Sequence, residues 1–330
     1  MPPVRIDVAL FSACMLAQRP CPKAWSLSYI SGTTIPKILH QTWPGTYRSP
    51  PAHMAAPHQT WLDHLDSEWT LLWYSNDDVQ RILKAEPPHR LRATLEEYLY
   101  PIQKYDAFRY IALNKWGGVY ADGDVVAMDV PRFPHTEQCN VFFSETTLDS
   151  QAGQLSNYYS KHTAGPLVHP CENSFMASPA NHPVWQGVFD AMIASAPHTD
   201  PFYMRWAGAQ DISKTAGIEV LSAGVQFYYA KYATKTHGKG YTVRSRVEDG
   251  TVSATGVNED VCILPQQQQW MGVPRFYDHL LVQSGTWQRA TRNQIVIGIM
   301  NLVVALVLFL AFVAFVVFVS KSRWARRRFI

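Results

Sequence analysis

Neither G-x-G-x-x-G nor G-K-[ST] occurs in the 330-residue chain. The glycine-rich phosphate loops of Rossmann and P-loop folds are therefore missing, which disfavours a dehydrogenase or a P-loop kinase. No Asn-x-Ser/Thr sequon is present, so glycosylation lends no support to a lumenal domain. The five cysteines do not decide the redox compartment. Beyond a leader only Cys139, Cys171 and Cys262 remain, enough for one disulfide and a spare thiol. There is no internal repeat, and "QQQQ" at 266–269 is too short to be low complexity and reads as loop. Low hydrophobicity, the signature of disorder, is also lacking: 47% of residues are hydrophobic, enough for one domain of about 250 residues with a large core.

Charge and polarity are nearly absent from one long run. From Ile295 to Val319 only Asn301 has a polar side chain. At ~1.5 Å rise per residue this run spans a hydrocarbon layer of ~30 Å, so a single C-terminal transmembrane helix is expected over 295–319. The tail 320–330 carries Lys321, Arg323, Arg326, Arg327 and Arg328. Without those five the net charge of +3 falls to about −2, so the basic balance belongs to the tail and says nothing of nucleic acid. The positive-inside rule places the tail in the cytosol and the large domain across the membrane, with Arg289 and Arg292 competing upstream. That orientation needs an export signal. "VRIDVALFSACMLA", within 1–32, offers Arg5 and an apolar stretch, but Asp7 interrupts it and no clean cleavage site follows. A tail-anchored protein with a cytosolic domain is the alternative.

Strand and helix patterns alternate from residue 33 to about 290. "TTIPKILHQTW" reads as a buried strand over Ile35–Trp43, and "EWTLLWYS" as a second. Asn76 and Asp77 cap a helix through Val79, Ile82 and Leu83 that Pro87-Pro88 stops. Pro101 to Trp116 has helical spacing, ended by Gly117-Gly118. A further strand follows. The expectation is an α/β fold with a mostly parallel central sheet.

That last strand carries the chemistry. "GGVYADGDVVAMD" places Asp122 and Asp124 in an apolar run with only Gly123 between them. Residues two apart on a strand share a side, so both carboxylates are expected to project together. Two such charges repel unless a cation joins them. A hard divalent ion, Mn²⁺ or Mg²⁺, fits, and such ions take one or two carboxylates plus substrate phosphates. The other reading is a polar turn at a strand end. Strand carboxyl ends are where α/β sheets bind ligands.

The preceding helix places Asp106 and Arg109 on the face of Ile102, Tyr105, Leu113 and Trp116. An acid and a base there are either an internal ion pair or ligand contacts, with Arg109 meeting a phosphate and Asp106 holding sugar hydroxyls.

"IPKILHQTWPG", "WTLLWYSNDD", "YDAFRYIALNKWGGVYADGDV" and "NSFMASPANHPVW" together resemble the DXD sugar-transferase family, glycosyltransferase family 32-like, which includes yeast-type α-1,6-mannosyltransferases and inositol phosphorylceramide mannosyltransferases. The resemblance covers roughly 33–290. It implies a GT-A-type fold, a nucleotide-sugar donor, Mn²⁺ or Mg²⁺, and retention at the anomeric carbon. It makes Asp122 and Asp124 the DXD pair, Asp124 the direct metal ligand and Asp122 a ribose or sugar contact. Asp106 and Arg109 become donor-sugar and phosphate contacts. Trp43 falls where a base can stack, or is an ordinary core Trp. Asn173 falls near the acceptor, or is a loop Asn. His279 can complete the metal or phosphate site, or is structural; His40 reads as buried and hydrogen-bonded. "AGAQDIS" at 207–213 departs from the family, with Ala209 in place of its Pro. The function implied is a membrane-anchored mannosyltransferase using GDP-mannose, with a lipid or glycan acceptor and a Golgi-lumenal domain. The alternatives are a galactosyl- or N-acetylglucosaminyltransferase, or a non-catalytic sugar-nucleotide-binding subunit.

Overall fold

The computed structural model describes residues 4–5, 29–30, 34–42, 50, 52–85, 87–127, 140–145, 171–196, 209–228, 231, 245–248, 251–254, 261–264, 277–279, 299–300, 302–304 and 306–315. In chain order the strands are β1 (Val4–Arg5), β2 (Ile38–Thr42), β3 (Thr70–Tyr74), β4 (Gly118–Asp122), β5 (Val125–Ala127), β6 (Val141–Glu145), β7 (Cys171–Ser178), β8 (Ser245–Glu248), β9 (Thr251–Ala254), β10 (Val261–Leu264) and β11 (Tyr277–His279). The helices are α1 (Ala55–His64), α2 (Asn76–Ala85), α3 (Arg92–Glu97), α4 (Pro101–Trp116), α5 (Val184–Ala194), α6 (Ala209–Thr215) and α7 (Ile218–Phe227).

Seven strands form one sheet in the order β1-β3-β2-β4-β7-β6-β10. Its left half, β1, β3, β2 and β4, is parallel throughout. β7 runs antiparallel to both β4 and β6, and β10 returns parallel to β6. The mostly parallel α/β sheet expected from the alternation is therefore present. β1 falls inside the segment read as leader, where Val4 and Arg5 pair with Thr70 and Leu71.

Alternation along the strands builds a core on each face. Leu39, Leu71, Val119, Ala121, Phe142, Phe175 and Ala177 cluster with Trp61, Leu65 and Trp69 around α1. Ile38, Leu72, Tyr74, Tyr120, Phe143 and Met176 cluster with buried residues of α2, α3, α4, α5 and α7. α4 lies so deep that its aromatic and aliphatic side chains and the polar Gln103, Asp106 and Arg109 are all buried. Its start is fixed by Pro101 at the first turn and by a capping box in which Gln103 Oε1 accepts from the Tyr100 amide at 3.0 Å.

Two boundaries differ from the sequence reading. β2 begins at Ile38 rather than Ile35, and Trp43 lies outside the described residues. The aspartates do not share one strand. β4 ends at Asp122, Gly123 and Asp124 form a turn, and Val125 opens β5, which pairs with β11 in a separate two-stranded sheet. The same-side argument fails because the strand stops between the two acids. Cys171 lies buried at the start of β7.

The run 295–319 is described only in part. Residues 299–300, 302–304 and 306–315 are helical, and their large apolar side chains are exposed. Among the described residues no helix is long and apolar enough to cross a membrane.

The passage from α4 to β4 depends on backbone that L side chains rarely adopt. Gly117 has φ 66° and Gly118 φ 99°. A Cβ on Gly118 would stand 2.5 Å from the Ile38 carbonyl oxygen. Gly118→Ala is expected to cost ~2 kcal/mol or more through strain and overpacking. A urea titration should show a clearly lowered midpoint, and an unchanged midpoint would contradict this geometry.

Candidate donor site

The site is built where β4 leaves the sheet. The start of β4 is held by His40 of β2. The fully buried ring donates through Nε2 to the Gly117 carbonyl at 2.8 Å and accepts at Nδ1 from the Tyr74 hydroxyl at 2.8 Å. Burial pulls the His40 pKa down to about 4, partly opposed by the Gly117 bond, so the ring is neutral at pH 7. This is the structural role read from the sequence.

Arg109 of α4 is the hub. Its Nη1 donates to Asp122 Oδ2 at 3.1 Å and to the Asn173 carbonyl at 2.7 Å. Its Nη2 meets Asp106 Oδ1 at 2.7 Å. The guanidinium lies over the Tyr120 ring, 4.9 Å from its centroid, a cation–π contact. Tyr120 in turn donates to Asp122 Oδ1 at 2.7 Å. Four residues predicted from sequence, Asp106, Arg109, Asp122 and Asn173, are thus brought together. The internal ion pair weighed above is the arrangement observed, and it includes Asp122 as well as Asp106.

Burial works against the Arg109 charge, but Asp122, Tyr120 and Asp106 push its pKa up, and it stays protonated. Burial drives the Asp106 carboxyl the other way, from 3.8 up to about 7; Arg109 opposes this, while Asp122 and Glu172 add to it. Asp106 Oδ2 and Arg109 Nε are buried atoms without a hydrogen-bond partner among the described residues. An orphaned buried carboxylate oxygen is costly unless a ligand hydroxyl reaches it.

Asp124, in the turn, is buried, and Asp122 is half-buried. The far side of this turn is anchored by α1. Trp61 Nε1 donates to the Val125 carbonyl at 2.8 Å, and the Ala127 amide donates to Thr60 Oγ1 at 2.9 Å. The backbone of His279 pairs with Val125, next to Asp124. Trp43 and the side chain of His279 lie outside the described residues.

A divalent ion fits this donor set. Asp122 Oδ2 accepts from Arg109 and Oδ1 from Tyr120, and a carboxylate has about four lone-pair sites in all. Asp124 supplies a second carboxylate. Among the described residues no group of three or more His, Cys, Asp or Glu forms a ready cage. Mg²⁺ and Mn²⁺ need none when substrate phosphates complete the shell.

Residues 50–138 match the family model described as glycosyltransferase sugar-binding region containing DXD motif. The match is to this segment and not to the whole chain. The segment contains Asp106, Arg109, Asp122 and Asp124, and Asn173 lies beyond it. Mannosyl phosphorylinositol ceramide synthase SUR1 of Saccharomyces cerevisiae is 38% identical over 90 residues, 27% of this chain and 22% of that protein. Inositol phosphoceramide mannosyltransferase 2 of Schizosaccharomyces pombe is 36% identical over 107 residues, 32% of this chain and 30% of that protein. The chain thus matches under a third of the length of these curated relatives. An uncharacterized glycosyltransferase of Acanthamoeba polyphaga mimivirus matches more extensively, over 59% of this chain and 66% of that protein, at 23% identity. The solved PaToxG glycosyltransferase covers 60% of this chain and 69% of its own at 17% identity and a TM-score of 0.34, too weak to argue from.

Three contributors were not singled out from the sequence. Tyr120 could have been, since it sits two residues from Asp122 on the same strand side. Tyr110 could not, because α4 is buried all round and periodicity gives it no distinct face. Trp61, 64 residues from Val125, carries no local signal.

Asp106 makes stability depend on pH. Unfolded, it ionises near 3.8; folded, near about 7. The folded state keeps a proton that the unfolded chain loses, so this stability is fully present below 3.8 and is lost as pH rises through about 7. With divalent ions chelated, the chain should lose stability relative to Asp106→Asn across that window. Urea unfolding at both ends checks it, and a constant difference would contradict the raised value.

Proposed function

We propose that the chain is a metal-dependent, retaining glycosyltransferase that takes mannose from GDP-mannose to a lipid or glycan acceptor. The observation that carries this reading is the Asp106–Arg109–Asp122–Asn173 network at the end of β4, directly before Asp124. Galactosyl or N-acetylglucosaminyl transfer is the alternative donor chemistry. Mannose ranks first because the yeast relatives are named for mannosyl transfer to inositol phosphoceramide.

In this reading Asp124 and Asp122 hold Mn²⁺ or Mg²⁺, which when bound neutralises the diphosphate leaving group. Asp122 is aligned by Arg109 and Tyr120, so its oxygens are fixed before substrate arrives. Asp106 Oδ2, buried and without a partner among the described residues, accepts a donor-sugar hydroxyl. Arg109 lends positive charge toward the phosphates while remaining anchored to both acids. Trp43 stacks the base and His279, beside Val125, joins the metal or phosphate site. The acceptor hydroxyl oxygen bonds to the anomeric carbon as the diphosphate oxygen departs with the bonding pair, and the hydroxyl proton passes to the leaving nucleoside diphosphate.

The run 295–319 serves as a membrane anchor, with the basic tail cytosolic and the domain in the Golgi lumen. The run, apolar but for Asn301, and the exposed apolar side chains within 299–315 support the anchor. An anchored domain stands close to lipid headgroups, which favours a glycolipid acceptor such as an inositol phosphorylceramide.

Nucleotide release from a panel of sugar nucleotides with Mn²⁺ tests the function. Asp124→Asn removes a metal-binding charge and keeps the shape, so it should abolish release in a chain that still folds. Retention of more than about a tenth of activity, ~1.4 kcal/mol of barrier, would remove Asp124 from the metal site. Binding without turnover across the panel would favour a non-catalytic subunit.

A further inference from the structure

Tyr110 of α4 is fully buried behind the site, and its hydroxyl has two polar partners. It donates to the Gly217 carbonyl at 3.1 Å, just before α7. It lies 3.0 Å from Asn173 Nδ2. A phenol has one proton, and a carbonyl can only accept. With that proton spent on Gly217, the Tyr110 oxygen must accept from Asn173, so the amide nitrogen faces it. The second Asn173 N–H points to Asp106 Oδ1 at 3.3 Å, an oxygen that already accepts from Arg109. Both amide hydrogens are therefore committed to protein, and the side-chain oxygen is the group left over. Among the described residues it accepts no bond, and it is absent from the buried orphaned atoms.

We propose that Tyr110 is a positioning residue that fixes the polarity of the Asn173 amide, so that Asn173 offers the donor sugar an acceptor for one of its hydroxyls. This rests on the glycosyltransferase reading and deepens it. An amide free to turn could offer either N–H or C=O; one held by Tyr110 and Asp106 offers only C=O. A hydroxyl is selected there, and a carbonyl or phosphate oxygen is rejected. Asn173 stands within hydrogen-bond distance of Asp106, whose own Oδ2 lacks a partner among the described residues, so one sugar can reach both acceptors. The Gly217 bond ties this selectivity to the start of α7, far away in sequence.

The test uses the full chain, Tyr110→Phe and Asn173→Ala, with GDP-mannose and each of its monodeoxy forms, reading equilibrium binding in the presence of Mn²⁺. In the unmodified chain, loss of one particular hydroxyl should weaken binding about tenfold, the worth of one well-placed hydrogen bond. Asn173→Ala should erase the discrimination at that hydroxyl and leave the other positions alone. Tyr110→Phe should reduce it severalfold at the same position. A uniform loss across all analogues in Tyr110→Phe, as a merely structural tyrosine would give, overturns the proposal, and so does unchanged discrimination. If Tyr110→Phe does not fold, Asn173→Ala decides: loss confined to one hydroxyl supports the acceptor role, and uniform loss overturns it. An unmodified chain that binds no sugar nucleotide removes the glycosyltransferase reading itself, a result distinct from either.

Discussion

A single guanidinium ties helix α4 to the ends of two adjacent strands of the sheet, β4 and β7. Arg109 on α4 binds Asp106 one turn earlier, Asp122 at the end of β4 and the backbone of Asn173 on β7. Lysine could not do this, because only a planar fork reaches two carboxylates and a carbonyl at once. The cost of burying one cation is met by two acids, and the cost of burying the acids is met unequally. Asp122 accepts from Arg109 and Tyr120 and is partly exposed, whereas Asp106 keeps an oxygen without a partner among the described residues and holds its proton up to about 7. That inequality makes Asp106 the group with unused capacity, the property expected of a ligand contact.

The surroundings act to keep this cluster rigid. Gly117 and Gly118 let α4 run straight into β4 with His40 pinning the junction. Trp61 and Thr60 hold the chain just past Asp124. The DXD turn is thus clamped on both sides by elements of the two opposite core clusters, which favours preorganisation of the carboxylates.

Sequence reasoning reached the parts of this arrangement that repeat locally. The α4 boundaries came from Pro101 and the Gly pair, and the parallel strands from apolar runs between helices. Asp106 and Arg109 stood out because charge on an apolar face is rare. The strand argument for Asp122 and Asp124 does not hold, since the strand ends at Asp122 and alternation cannot see the Gly123-Asp124 turn that follows. Tyr110, Tyr120 and Trp61 act through hydrogen bonds to residues that are mostly remote in sequence. A buried tyrosine's partner is set by tertiary packing, which periodicity does not encode.

Arg109→Lys, measured for unfolding free energy and for sugar-nucleotide affinity on the same preparation, separates a hub from a residue reserved for ligand. Loss of the bridging fork should lower stability by ~2–3 kcal/mol even without donor, and donor affinity should fall with it as Asp122 loosens. Full stability with donor affinity alone reduced would contradict the central place of Arg109 in the fold of the site.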